Sequence, residues 1–188
     1  MSRGTRSLPG FAGSETSGWF TNGGVARSRI GGKGGTEMAT VRVLIADDHA
    51  AMRAVLVQAL QSEAYIEVVG EAPDGCAAVR LAEKLTPDVV LMDINMPGLN
   101  GIEATRHIVQ RNSDIKVIGL SVHCWEFYAR QMFEAGARAY LLKDGDIGEL
   151  LDAIDAVCRG RTYISPAMVN SGWPMSRLRT SWRLSHTG

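Results

Sequence analysis

The chain has 188 residues with 20 Lys+Arg against 20 Asp+Glu, so its formal charge is zero. At 45% hydrophobic and 21% charged residues it has the makeup of a globular protein able to bury one core. No apolar run approaches the ~20 residues of a membrane span, the N-terminus does not read as a secretory leader, and neutral charge argues against a broad nucleic-acid footprint. The cytoplasm is the expected compartment.

The neutral sum hides unlike parts. Residues 1–37 hold five basic groups, two acids and ten of the 21 glycines, while residues 166–188 hold three arginines and no acid. The stretch between them carries 12 basic and 18 acidic residues. Residues 1–38 therefore read as a disordered extension, with Met38 as a candidate translation start, residues 39–160 as the folded domain, and 161–188 as a linker and irregular tail. Cys76, Cys124 and Cys158 lack the close pairing of a zinc or redox motif and are expected to be buried free thiols.

Short β-branched runs alternate with amphipathic stretches through the middle. Val41 to Ala46 predicts a strand, and Ala51 to Leu60 a helix with Met52, Val55, Leu56, Ala59 and Leu60 at helical spacing. Ile66 to Val69 is a second strand, and a helix opened by Pro73 and Asp74 runs through Leu85. Asp88 to Ile94 is a nearly continuous apolar strand, as expected where both faces are covered. The Pro-Gly pair marks Asn95 to Asn100 as a loop, before a helix from Gly101 to Val109. Ile115 to Leu120 is a fourth strand, Glu126 to Ala135 a helix stopped by Gly136, Ala139 to Leu142 a fifth strand, and Ile147 to Cys158 a last helix. Five strand-then-helix units imply an α/β protein with a parallel sheet covered on both faces. Ligands of such sheets bind at the carboxyl ends of the strands.

Asp47 and Asp48 follow the first strand, Asp93 ends the third, Ser121 ends the fourth and Lys143 lies just past the fifth. Singly, each is an ordinary loop or cap residue; Asp47, for example, could cap the first helix. Together they line one rim. Three carboxylates in one place repel unless a cation is present, and a hard ion such as Mg²⁺ suits them. Lys143 and Ser121 then suit phosphoryl oxygens, and Asp93, beside an open loop, is the best placed to attack phosphorus.

The runs Leu44 to His49 (LIADDH), Val89 to Gly101 (VVLMDINMPGLNG), the strand end Leu120-Ser121, and Gly136 to Asp144 (GARAYLLKD) resemble the receiver domain of two-component response regulators of the NarL/FixJ type, over residues 41 to about 165. The resemblance implies a flavodoxin-like fold of strand order 2-1-3-4-5 and phosphoryl transfer from a sensor histidine kinase to Asp93. It further implies Mg²⁺ held by Asp48, Asp93 and the backbone carbonyl of Asn95, with Asp47 acting through water. Ser121 and Lys143 match the phosphoryl-binding positions, and Tyr140 the aromatic switch position. A switched surface made by the fourth helix, fifth strand and fifth helix, and homodimerisation on phosphorylation, follow from the same resemblance. Such regulators generally continue into a DNA-binding helix-turn-helix of LuxR type. The 19 residues from Asn170 are too few to build one, so DNA binding is not expected of this chain, and a truncated transcription regulator is. The competing reading is a Mg²⁺-dependent phosphohydrolase with Asp93 as nucleophile, disfavoured because position 95 is Asn and offers no proton donor.

Overall fold

The structure, a computed structural model, describes residues 40–170. The expectations of disorder in the N-terminal extension and beyond Asn170 lie outside the described residues. In chain order the elements are β1 (Val41–Ala46), α1 (Ala50–Gln61), β2 (Ile66–Ala72), α2 (Gly75–Leu85), β3 (Val89–Asp93), α3 (Gly101–Arg111), β4 (Lys116–Ser121), α4 (Glu126–Glu134), β5 (Ala139–Leu142), α5 (Ile147–Cys158), β6 (Tyr163–Ile164) and α6 (Pro166–Asn170).

The strands form one sheet of order β2-β1-β3-β4-β5-β6, and every neighbouring pair is parallel. Successive side chains of a strand point to opposite faces, and the core divides accordingly. Val43 and Ile45 of β1, Val89 and Leu91 of β3, and Ile118 and Leu120 of β4 join Leu56, Leu60, Leu150 and Ile154 from α1 and α5. Leu44, Ala46, Val90, Met92 and Val117 join the small and apolar residues of α2, α3 and α4 on the other face. Each fully buried leucine adds roughly 1.5–3 kcal/mol. The helices start where their caps dictate: Asp74, Asn100 and Asp146 each accept a backbone N–H three residues on. Gly136 takes φ +106° just past α4, a conformation that favours glycine.

Two expectations are corrected here. Residues 163–170 are not irregular. Tyr163 and Ile164 pair with Ala139 and Tyr140 as a sixth strand, and Met168 of α6 is buried at 1% exposure among the α4-side residues. A two-residue strand is too short to show periodicity, so only its pairing reveals it. The three cysteines are free but exposed. Cys76 and Cys158 sit at helix ends and Cys124 in the β4–α4 loop, where the chain turns away from the core.

The chain passes from β1 outward to β2 and then back across β1 to β3, so the winding reverses between β1 and β3. The crevice at their carboxyl ends is where such a sheet places its ligand.

Candidate functional site

Asp47 and Asp48 leave β1 on one side of this crevice and Asp93 ends β3 on the other. Lys143 is brought in from β5 because its backbone N–H donates to the Ser121 carbonyl at 2.7 Å, extending the β4–β5 pairing one step past the strand. Its ammonium, with a side chain only 7% exposed, lies 2.6 Å from Oδ2 of Asp47 and 3.0 Å from Oδ1 of Asp93.

The carboxylates differ in what remains free on them. Asp47 is fully buried and both its oxygens are engaged: Oδ1 accepts the His49 backbone N–H at 2.9 Å and Oδ2 accepts from Lys143. Asp47 thus caps the turn into α1 without being its N-cap, which is His49. Asp93 receives Lys143 and the Asn95 backbone N–H, the latter at 3.3 Å, both on Oδ1. Oδ2 takes no hydrogen bond from the described residues. Burial pushes the Asp93 carboxyl above its usual range, with Lys143 opposing the rise and the negative charge of Asp47 adding to it. Oδ1 of Asp48 is buried and accepts no hydrogen bond, although His49 Nδ1 lies 2.7 Å away.

Ligand atoms of Asp47, Asp48, His49 and Asp93 lie within 4.8 Å of one another. Lys143 neutralises one of the three carboxylates, and two negative charges are left over. An orphaned buried carboxylate oxygen within an excess of two negative charges fits a hard divalent cation. His49, the N-cap residue of α1, is the fourth member of the group.

Ser121 and Tyr140 occupy a second cluster beside the first. The buried Ser121 hydroxyl donates to the His123 carbonyl and accepts from the His123 N–H, each at 3.1 Å. Its bonds thus go to the loop backbone and none to a site carboxylate. The Tyr140 ring is fully buried and its hydroxyl donates to the same His123 carbonyl at 2.9 Å. From there a row of rings leads to the surface. His123 stacks on Trp125 at 4.7 Å and Trp125 on Tyr128 at 5.8 Å, with Phe127 edge-on to Tyr128. Trp125 and Phe127 are each more than half exposed.

Two features of the site lacked any sequence signal. A Cβ built on Gly101 would meet the Asp93 carbonyl oxygen at 1.9 Å, so α3 starts in contact with the backbone of the central aspartate. Arg53, on the second turn of α1, donates to the Asp47 carbonyl at 2.7 Å and to Glu71 at 3.2 Å. The pattern of α1 marks Arg53 only as a polar position.

Residues 43–155 match the response regulator receiver domain family. The chain is 44% identical over 131 residues to the transcriptional regulatory protein DegU of Brevibacillus brevis, covering 70% of this chain and 56% of that protein. It is 43% identical over 141 residues to the transcriptional regulatory protein LiaR of Bacillus subtilis, covering 75% and 66%. The chain thus spans between about half and two thirds of the length of these relatives. Among solved structures, a two-component response regulator of the LuxR family from an Aurantimonas species superposes with a TM-score of 0.68 at 38% identity, covering 70% of this chain and 94% of that one. No helix among the described residues is long and apolar enough to cross a membrane. Fold, matched span and relatives agree: the chain belongs to the response regulator receiver family, with NarL/LuxR-type response regulators as its homologues.

Proposed function

We propose that the chain is a phosphorelay switch in which Asp93 accepts a phosphoryl group from the histidine of a sensor kinase. The observation that carries this reading is the asymmetry of the Asp93 carboxylate, whose Oδ1 is held by Lys143 and the Asn95 N–H while Oδ2 takes no hydrogen bond from the described residues. Oδ2 attacks phosphorus, the phosphorus–nitrogen bond breaks with its electron pair leaving on the kinase imidazole, and a mixed anhydride forms on Asp93. Lys143, 3.0 Å from Oδ1 of Asp93, would meet the charge on the transferring oxygens. Asp48 and Asp93, with the Asn95 carbonyl, would hold Mg²⁺, and Asp47, whose oxygens are both engaged, would act only through water. When bound, the ion would neutralise charge on the phosphoryl oxygens.

The phosphoryl group adds roughly −1.5 to −2 charge, and the buried Ser121 hydroxyl, at the end of β4 next to the Asp93 strand, is a neutral donor on the same rim. Its departure from His123 would leave Tyr140 as the remaining hydroxyl donor to that carbonyl. The His123, Trp125 and Tyr128 stack would carry the change to the α4-β5-α5 surface, the face proposed for self-association and for control of transcription. The relatives are named as transcriptional regulators. Residues 40–170, which take in β6 and α6, are proposed as the receiver unit, and the cytoplasm as its compartment.

Incubation with acetyl phosphate and Mg²⁺, followed by intact-protein mass, tests the reading. A single phosphoryl adduct that decays slowly and is absent from Asp93→Asn is expected. Rapid release of inorganic phosphate over many turnovers, without adduct, would instead identify a phosphohydrolase.

A further inference from the structure

We propose that Arg53 is a positioning residue for the divalent-cation site, acting through the peptide that joins Asp47 to Asp48. This rests on the reading of that site given above. The backbone of Asp47 is anchored at both of its polar groups. Its N–H donates to the Ala72 carbonyl at the end of β2, at 3.1 Å. Its carbonyl accepts from Nη1 of Arg53 at 2.7 Å, and Nε of the same guanidinium reaches Oε2 of Glu71, also on β2, at 3.2 Å. Both backbone polar groups of Asp47 are therefore tied to the carboxyl end of β2, one directly and one through Arg53.

The Asp47 carbonyl belongs to the peptide plane that leads into Asp48. Its direction sets where the Asp48 Cα–Cβ bond points, and Asp48 carries the buried oxygen that lacks a hydrogen bond. A planar guanidinium that contacts two acceptors at once holds that plane more rigidly than an ammonium can. Arg53 is also only 16% exposed, which is unusual for an arginine on the outer side of a sheet protein. Its charge is met by Glu71, so the contribution is geometric. With Asp47, Lys143 and Asp93 the pair completes a string of alternating charge across the sheet edge, from β2 to the crevice.

The sign of the effect separates positioning from plain electrostatics. Removing a positive charge beside a cation site would by itself tighten cation binding, whereas misdirecting a ligand weakens it. Mn²⁺ binding to the full chain, read from the spectrum of free Mn²⁺, is measured for the native protein, Arg53→Met, Arg53→Lys and Asp48→Asn, with a melting curve for each. Arg53→Met is expected to bind about tenfold more weakly, the scale seen when outer partners of metal ligands are removed. Arg53→Lys, which keeps the charge and loses the fork, is expected to fall between Met and the native protein. Unchanged or tighter binding by Arg53→Met, with only a lower melting temperature, overturns the proposal. If Arg53→Met does not fold, Arg53→Lys binding as tightly as the native protein overturns it. Failure of the native protein to bind Mn²⁺, or Asp48→Asn binding as well as native, would instead remove the underlying site and the proposal with it.

Discussion

The Tyr140 hydroxyl donates to the backbone carbonyl of His123 at 2.9 Å from a ring that is wholly inside the protein. Burial pushes the phenol up to about 12, with the Ser121 hydroxyl partly opposing the rise. The folded state therefore holds the Tyr140 proton more tightly than the unfolded chain. The stability linked to it is complete below the ordinary tyrosine range near 10 and is lost as pH rises through about 12. Tyr140→Phe should cost about 1 kcal/mol at neutral pH, the net worth of one hydrogen bond. Between pH 10 and 12 the native protein should lose stability relative to Tyr140→Phe, until the variant is the more stable. Urea denaturation of both across this range checks the crossover.

Lys143 sits between two buried carboxylates, and its removal leaves them facing each other. Lys143→Met should lose about 3–5 kcal/mol at neutral pH, as when one partner of a buried pair is deleted. The raised Asp93 carboxyl sets the pH dependence. Its unfavourable contribution is absent below the ordinary carboxylate range, grows as pH rises above that range, and is complete once the folded group ionises. Without Lys143 that value moves higher still, because Lys143 is what opposes the rise. The deficit of the variant should therefore shrink as the solution is acidified toward the ordinary carboxylate range. Denaturation midpoints of native and variant chains in a metal-free pH series test this.

Gly101 has no room for a side chain, since a Cβ there would meet the Asp93 carbonyl at 1.9 Å. Gly101→Ala should cost about 1–3 kcal/mol through overpacking. The backbone shift also displaces Asp93, so the phosphoryl adduct formed with acetyl phosphate should decline in the folded variant. Gly98, at φ +73° with no atom near its Cβ, is the control. Alanine there should strain the loop without moving Asp93.

Much of this arrangement is legible in the sequence, and the exceptions have physical causes. The bounds of β5 and α5 emerge as expected because periodicity and caps agree there. β2 runs three residues beyond its predicted end, to Ala72, since Gly70 and Glu71 break its apolar run on a partly exposed edge strand. The rim of Asp47, Asp48, Asp93, Ser121 and Lys143 follows from strand ends alone. That Ser121 bonds the His123 backbone and that Arg53 holds the Asp47 carbonyl do not, because a main-chain acceptor leaves no trace in residue pattern.

The end of the described chain gives a further prediction. Met168 is 1% exposed in the α4-side core, although it lies in what reads as tail. Met168→Ala should destabilise by about 2–5 kcal/mol, the range for emptying a buried methionine site. Val169→Ala, at a position 39% exposed, should cost far less. Thermal melts of the two variants side by side measure the difference.

The most direct measurement traps the acyl phosphate chemically. Borohydride reduces an aspartyl phosphate to homoserine, which peptide mass mapping locates to a residue. After treatment with acetyl phosphate and Mg²⁺, conversion should be found at Asp93 and at neither Asp47 nor Asp48. Conversion at one of those residues, or none despite bound phosphate, would contradict the assignment of Asp93 as phosphoacceptor.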